Sequence, residues 1–308
     1  MNDKYKRQVS FLLKVIPEVG KEKNFALHGG TAINMFHQNM PRLSVDIDLT
    51  YIPFTEIREN DLHEIRTILA RIKSRLQKTI PSIHFEDQIR AEEELKLICI
   101  FSGAMIKIEV NQINRGVIDE PVIFVLCEKA QVLFDTFCEV QLVPKSQLWG
   151  GKIIAALDRQ HPRDIFDIRG LMNKDGYSDE IQTGFLFCLL SSKRPIHEIL
   201  NPILINHQVV FTSQFNGMTD EPFLYDEFEE VRNNLINTVN QRLTLQDKKF
   251  LLDFAKAEPI WDRFDYSMFP GIKWKLLNIR NLKNSNYTKF LKQINSLEIV
   301  LYQNDLKI

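Results

Sequence analysis

Two aspartates separated by one residue form the first candidate site. Asp46 and Asp48 lie in the segment 45–51, where apolar and acidic side chains alternate in the way that predicts a β-strand. Side chains two apart on a strand point to one face, so the two carboxylates would repel each other unless a cation lay between them. Mg²⁺ binds carboxylate oxygens and completes its coordination with substrate phosphates, so the pair predicts metal-dependent chemistry on a phosphate compound.

A glycine pair precedes the aspartates. Gly29 and Gly30 follow the predicted strand 25–28 and precede a helix that Thr31 would cap. Glycines at such a turn let the backbone approach a phosphate, and the next helix offers free N–H groups at the positive end of its dipole. A hydroxyl from Thr31 or Ser44 could add a contact. A plain strand-to-helix turn without a ligand is the alternative.

A third carboxylate is predicted at Glu109, in the alternating segment 105–110. If this strand neighbours the strand with the aspartates, three carboxylates could hold two metal ions about 3.5–4 Å apart for in-line phosphoryl transfer. Lys107 lies on the same face of the strand, so a salt bridge between Lys107 and Glu109 is the competing interpretation.

A second cluster joins two predicted helices. Lys152 lies in the helix 145–159, a proline interrupts the pattern, and Asp164 and Asp167 open the next helix. Lys152 would bind a triphosphate and neutralise its developing charge, while one aspartate would orient Lys152 or Arg163 or contact the sugar. Acidic residues in a first helical turn are also common caps and dipole partners, and that interpretation stays open for at least one of them.

The periodicity of the whole chain predicts an α+β protein, with a mixed α/β half followed by a helical half. Strands are predicted at 25–28, 45–51, 83–86, 95–101, 105–110, 121–126 and 140–143, and helices at 4–19, 31–38, 56–79, 145–159, 163–173, 178–192, 223–241, 245–257, 273–283 and 287–300. We expect two domains, 1–165 and 166–308.

Composition excludes several classes of protein. With 44% hydrophobic residues the chain is not largely disordered, and a net charge of −1 predicts no general attraction to polyanions. No apolar run is long enough for a membrane span or a signal peptide, so we expect a cytoplasmic protein. The 4 cysteines lack CxxC spacing, which is typical of reduced thiols rather than of disulfides or zinc. Walker A, GxGxxG and GxSxG motifs are also missing.

Charge is concentrated in two local segments. Residues 219–230 contain six acidic residues and no basic one, whereas residues 266–296 contain six basic residues, no acidic one and several aromatic residues. The basic segment could hold an RNA backbone and stack a base, or be a solvated helix face over core aromatics. The acidic segment is typical of a helix start, with a contact to a partner protein as the alternative.

The motifs in this order resemble the AbiEii/AbiGii toxin family, nucleotidyltransferases of the polymerase-β-like superfamily. The resemblance covers about residues 24–175 and is carried by the following motifs: Gly29-Gly30-Thr31-Ala32, Arg42-x-Ser44-x-Asp46-x-Asp48, Lys152 and Arg163-Asp164-x-x-Asp167. The superfamily's first motif usually has Gly-Ser, so Gly30 occupies the serine position and Thr31 would have to supply the hydroxyl.

The resemblance implies a polymerase-β-like nucleotidyltransferase domain with a mixed sheet, followed by a C-terminal helical bundle. It implies transfer of a nucleotide from an NTP, with Mg²⁺, to an RNA acceptor such as the tRNA 3′ end, causing growth arrest or phage defence, and an antitoxin encoded by a neighbouring gene. The implied roles are catalysis for Asp46, Asp48, Lys152 and Asp164, metal binding for Asp46 and Asp48, and nucleotide binding for Gly29, Gly30, Thr31, Arg42, Ser44, Arg163 and Asp167. The strand pattern adds Glu109 as a further metal ligand.

Two other functions stay open at this stage. One is a binding module that keeps the fold without catalysis, and the other is a nucleotidyltransferase that modifies small molecules. The intact pair of Asp46 and Asp48, together with Lys152, disfavours the binding module, because a decayed site is expected to lose carboxylates that repel each other.

Overall fold

The computed structural model describes residues 3–86, 95–262 and 265–302, which form two compact units. The first unit extends to Pro144 and includes Phe215–Pro222. The second unit consists of Lys145–Gln214 and the chain from Phe223 onward. The domain boundary predicted at 165/166 therefore lies inside the second unit, because the helix that carries Lys152 packs against later helices of that unit.

Seven strands of the first unit form one mixed sheet. They are β1 (Phe25–His28), β2 (Asp46–Tyr51), β3 (His84–Phe85), β4 (Lys96–Phe101), β5 (Ala104–Val110), β6 (Val122–Val125) and β7 (Glu139–Leu142). Their order is β3-β4-β5-β2-β1-β7-β6, with parallel pairing of β2 with β5 and of β1 with β7. All seven predicted strands and the mixed character of the sheet are confirmed.

One face of this sheet is apolar and covered by helices. Along β5, Ile106 and Ile108 are buried while Lys107 and Glu109 are accessible. The helices of the first unit are α1 (Asp3–Gly20), α2 (Gly29–Thr31), α3 (Arg58–Thr79) and α4 (Glu128–Phe134). Helix α1 packs on the apolar face, where Phe11 contacts Phe101 of β4 with ring centroids 5.5 Å apart. The charged side chains of β2 and β5 are therefore left on the other face.

Two details of the first unit differ from the prediction. The helix after β1 begins at Gly29, continues beyond α2 as a π-helical segment, Ala32–His37, and contains Thr31 instead of being capped by it. The Thr31 hydroxyl donates to the Asp46 carbonyl oxygen at 2.5 Å, so a contact to β2 replaces the predicted cap. Helix α4 was not predicted, because seven residues are too few to show a helical period.

The second unit is helical. Its helices are α5 (Lys145–Arg159), α6 (Pro162–Lys174), α7 (Asp179–Ser191), α8 (Ile196–Leu200), α9 (Gln208–Val210), α10 (Tyr225–Gln241), α11 (Leu245–Ala255), α12 (Pro270–Ser285) and α13 (Tyr287–Tyr302), with a π-helical turn at Phe211–Phe215. The seven longer helices match the predicted ones. The short helices α8 and α9 were missed for the same reason as α4.

Helices α5 and α7 cross with their backbones in contact. A Cβ atom added at Gly184 would lie 1.9 Å from the Ser146 carbonyl oxygen, and one added at Gly150 would lie 2.3 Å from the Gly184 carbonyl group. No side chain fits at either position, so the two glycines set the distance between the helices. Lys152 is two residues beyond this crossing on α5.

The cysteines are unpaired in this structure, and the described helices can be compared with the length of a membrane span. Cys99, Cys127, Cys138 and Cys188 are all free thiols. Burial raises the pKa of Cys99 to about 12 and that of Cys138 to about 11, which keeps both protonated. Among the described residues, none of the helices combines the length and apolar character that crossing a membrane would need.

Candidate active site

The charged face of the sheet brings Asp48 and Glu109 side by side. In the parallel pairing of β2 with β5, Asp48 is the partner of Glu109 and Asp46 is the partner of Lys107. On its other side, Asp48 is the partner of His28 in β1. Residues directly opposite each other in neighbouring strands project from the same face, so the predicted neighbourhood of the two strands is confirmed.

Glu109 is bound by a lysine of its own strand. The Lys107 ammonium donates to Glu109 Oε2, and the two side chains are 40% and 48% exposed. Desolvation lowers the pKa of Lys107, but the hydrogen bond and charge of Glu109, with the charges of Asp46 and Asp48, raise it overall. The salt bridge is thus formed, and the described part of the chain contains no group of three His, Cys, Asp or Glu residues arranged to hold a metal ion.

The glycine pair makes room for the side chains of β2 and of the loop before it. Gly29 has a φ of +75°, and a Cβ atom there would lie 2.5 Å from the Asp48 carboxylate oxygen Oδ2. A Cβ atom at Gly30 would lie 3.0 Å from both Arg42 Nη2 and Ser44 Oγ. Glycine is therefore required at both positions of the turn by the close approach of the Asp48, Arg42 and Ser44 side chains.

The predicted nucleotide-binding side chains around this turn are buried. Arg42 is 2% exposed, and its Nη1 donates to the Leu43 carbonyl oxygen at 3.0 Å. Thr31 is 0% exposed, and since its own proton goes to the Asp46 carbonyl oxygen, its Oγ1 accepts a hydrogen bond from Ser44 Oγ at 3.0 Å. Arg42, Thr31 and Ser44 thus form a buried layer under the glycine turn. The structure brings these three residues together with Gly29, Gly30, Asp46 and Asp48 in the first unit.

The second unit contains a buried ionic cluster around Lys152. Its ammonium lies 2.9 Å from Asp164 Oδ1 and 2.8 Å from Asp167 Oδ2. All three side chains are at most 4% exposed. Arg159, seven residues or about two turns further along α5, lies 2.5 Å from Asp164 through Nε and 3.0 Å through Nη2. The contribution of Arg159 was missed, although its spacing of seven residues from Lys152 places both on one helix face.

Asp164 pairs with Lys152 and is not the N-cap of its helix. The N-cap of α6 is His161, whose side chain accepts a hydrogen bond from the Arg163 backbone N–H at 3.2 Å. Burial raises the pKa of Asp164, but Lys152 and Arg159 outweigh that effect and hold the pKa well below its usual range. Asp164 is therefore an ionised partner of the lysine at neutral pH.

The basic segment 266–296 is only partly a solvated face. Its side chains at Lys273, Arg280, Lys289 and Lys292 are exposed. Two aromatic side chains are exposed with them, Trp274 at 38% and Tyr287 at 57%. Lys275 instead points inward, and its ammonium donates to Ser192 Oγ and the Arg194 carbonyl oxygen, both at 2.9 Å.

The acidic segment 219–230 is divided between the two units. Asp220 and Glu221 belong to the first unit, and the other four acidic residues lie in α10 of the second. Within α10, Glu227 pairs with Arg169 at 3.2 Å and Glu229 with Arg232 at 3.6 Å. These two carboxylates therefore have partners inside their own unit.

Comparison with known proteins identifies the family. The model of the family described as "Nucleotidyl transferase AbiEii toxin, Type IV TA system" matches residues 10–274. The chain belongs to this family. Among solved structures, the nucleotidyltransferase toxin MenT4 from Mycobacterium tuberculosis H37Rv has a similar fold, with a TM-score of 0.59 and 10% sequence identity over 90% of this chain and 93% of that one. No curated protein sequence matches significantly.

The family resemblance stated from the motifs is thereby confirmed. The chain is a nucleotidyltransferase toxin of a type IV toxin-antitoxin family, which implies a nucleotide substrate and an antitoxin partner. The fold resemblance to MenT4 agrees with the α+β class and with the helical second half.

Proposed function

We propose that this toxin transfers a nucleotide from an NTP, with Mg²⁺, to an RNA acceptor at the tRNA 3′ end, and that it arrests growth or defends against phage from the cytoplasm. The observation that carries the proposal is the close approach of Gly29 to the Asp48 side chain, where an added Cβ atom would lie 2.5 Å from the carboxylate oxygen Oδ2. It supports a site in which the glycine turn at a helix start and the carboxylates of Asp46 and Asp48 would together meet a metal-bound triphosphate.

The donor set of this face fits Mg²⁺. The described residues offer no three-ligand cluster, but Mg²⁺ in nucleotide enzymes is commonly held by one or two carboxylates together with substrate phosphates and water. Asp46 and Asp48 would be those two carboxylates, with Glu109 as a further candidate. The bound ion would supply charge neutralisation for the phosphates in phosphoryl transfer.

In this proposal the protein's own residues bind and orient the substrate. The glycine turn would receive the triphosphate with its backbone N–H groups, above the buried Arg42, Thr31 and Ser44. A phosphate contact by Lys152 stays a prediction; within the second unit its ammonium is held by Asp164 and Asp167. The two aspartates would thus be positioning residues for Lys152. The role of Arg163 in binding the nucleotide stays a prediction.

The RNA acceptor is supported by the exposed part of the basic segment. Lys273, Arg280 and Lys289 present three cations on α12 and α13, and Trp274 and Tyr287 present aromatic rings for base stacking. RNA phosphates and unpaired bases match this combination. Lys275 is excluded from that surface by its burial.

The test is a transfer assay with each α-³²P-labelled NTP, using total tRNA, single-stranded RNA or a set of small hydroxylated acceptors. We expect label in tRNA, and none when EDTA removes the metal. Asp48→Asn should lower the rate about 10³-fold or more, because it removes a ligand charge while keeping the side-chain shape. The control is Asp119→Asn, an exposed aspartate of the same unit.

Different outcomes contradict different parts of the proposal. Labelling of small acceptors but not of RNA would replace the RNA acceptor by a small molecule. A folded Asp48→Asn protein that transfers at the wild-type rate would remove the metal role of β2. In cells whose growth the wild type arrests, Asp48→Asn should relieve the arrest and Asp119→Asn should not.

A further inference from the structure

The charged face of the sheet holds more than the two aspartates. Asp46, Asp48 and Glu109 supply three negative charges, and Lys107 lies among them. Resting on the proposed metal-dependent function, we propose that Lys107 sets the metal affinity of this face: its ammonium holds Glu109 as a salt-bridge partner and weakens the binding of a divalent cation until a nucleotide arrives with it.

The strand register places Lys107 between the possible ligands. One row across the sheet contains Lys96, Glu109 and Asp48, and the next contains Lys107 and Asp46. Lys107 is therefore directly opposite Asp46. It is two residues from Glu109, which lies opposite Asp48. A single ammonium at this position is close to all three carboxylates.

The contacts show which carboxylate the lysine holds. Lys107 hydrogen-bonds Glu109, and a second cation, Lys96, is the cross-strand partner of Glu109 on the side away from Asp48. Glu109 thus has basic residues on two sides, whereas the two aspartates lie toward β1 and its glycine turn. Within the described residues the three carboxylates do not form a three-ligand cluster, which agrees with Glu109 being held by Lys107.

Electrostatics gives the direction of the effect. The charges of Asp46 and Asp48 act on Lys107 in addition to that of Glu109, so the attraction extends over the whole face. A free divalent cation has to compete with this ammonium for the same carboxylates. A cation that arrives with triphosphate oxygens already bound needs fewer protein ligands, so the lysine favours loading of the metal–nucleotide complex over loading of the bare ion.

The test measures binding of Mn²⁺ to the full chain by electron paramagnetic resonance, without nucleotide and without turnover. Lys107→Met and Lys107→Gln should each bind Mn²⁺ about tenfold more tightly than the wild type, as expected for removing one nearby charge from a partly exposed site. Lys78→Met, which removes an exposed lysine of α3 and changes the net charge equally, should leave the affinity unchanged.

A double variant identifies the released ligand. Lys107→Met with Glu109→Gln should lose most of the gain, because the side chain set free by the first substitution no longer has a charge. If the double variant keeps the full gain, Glu109 is not the released ligand and that part of the inference is wrong.

The remaining outcomes separate the inference from the proposed function. The inference is wrong if the wild type and both Lys107 variants bind Mn²⁺ equally well. In that outcome the proposed function still stands, provided that the wild type binds Mn²⁺ when a non-hydrolysable NTP is present. Failure of the wild type and of the Lys107 variants to bind Mn²⁺, with or without that NTP, overturns the metal-dependent function itself.

Discussion

Lys152 shows how burial changes the meaning of a single residue. Its ammonium and the carboxylates of Asp164 and Asp167 are almost fully removed from solvent. Bringing these charges out of water is unfavourable, and their mutual attraction offsets that cost only while all partners are present. Lys152 therefore contributes to folding as well as to the proposed contact with a phosphate.

Lys152→Ala should lower the free energy of unfolding by about 3 kcal/mol or more, because it leaves two buried carboxylates without their common partner. The control on the same helix is Lys145→Ala, which breaks a partly exposed pair with Asp175 at 3.3 Å and should cost less than about 1 kcal/mol. Urea denaturation of both variants measures the difference. Equal destabilisation by the two substitutions would show that the Lys152 cluster adds no stability beyond that of a surface pair.

At the scale of elements, the crossing of α5 and α7 depends on glycines. Gly184→Ala would place a methyl group 1.9 Å from the Ser146 carbonyl oxygen, so the helices must separate. We expect a loss of about 1–3 kcal/mol or more in unfolding free energy, as for overpacking of a core.

Gly151 of α5 provides the matched control for Gly184→Ala. A Cβ atom at Gly151 would have only Cys188 Sγ within reach, at 4.0 Å, so Gly151→Ala should be neutral or stabilise α5 by up to about 1 kcal/mol. The melting temperature of Gly184→Ala should therefore fall, whereas that of Gly151→Ala should stay the same or rise. A Gly184→Ala protein as stable as Gly151→Ala would contradict the close crossing.

Lys275 makes the end of α7 sensitive to pH. This lysine of α12 donates to the Leu189 carbonyl oxygen at 3.0 Å, and burial lowers its pKa to about 7. In the unfolded chain the same lysine titrates near pH 10.4, so between about pH 7 and 10 the unfolded state binds more protons. The contribution of Lys275 to stability should therefore rise with pH through this range.

The matching experiment compares the wild type with Lys275→Met by urea denaturation at pH 7 and pH 9. The difference in unfolding free energy should move by about 2 kcal/mol in favour of the wild type at the higher pH. Lys193→Met, which removes a nearby exposed lysine, should show no such change. A pH-independent difference for Lys275→Met would mean that the lysine has the same pKa in both states.

At the scale of the whole molecule, the net charge of −1 is the sum of segments with strong opposite charge, such as the basic segment 266–296 and the acidic segment 219–230. If the basic segment binds RNA, replacing Lys273, Arg280 and Lys289 by glutamine should weaken binding and reduce the slope of log affinity against log salt by about 2, since each lost phosphate contact accounts for about 0.7. Fluorescence anisotropy with labelled tRNA over a series of salt concentrations measures this.

The control triple variant replaces three exposed lysines outside the segment, Lys23, Lys78 and Lys174, and changes the total charge by the same amount. It should keep the wild-type slope. Loss of affinity in both triple variants alike would show that only total charge matters, and unchanged affinity in the first would assign its residues to an ordinary solvated face.

The sequence by itself was sufficient for the seven strands, for the longer helices and for the face of β2 and β5 that carries the charged side chains. Alternation along 45–51 and 105–110 correctly identified two strands, and the face that carries Asp46, Asp48 and Glu109 followed from that alternation. These features are local, because the two-residue period of a strand can be recognised from consecutive side chains in the sequence. The motifs, taken in order, also led to the right family.

Only the tertiary structure decided which partners the site residues have. The pairing of β2 with β5 put Lys107 opposite Asp46, the fold of the first unit turned the Thr31 hydroxyl to the Asp46 carbonyl oxygen, and helix packing buried Lys275. No local pattern contains this information, since register, burial and close approach depend on segments far apart in the chain. A side chain's type indicates what chemistry it can do, and its packed neighbours determine whether that charge or donor is available.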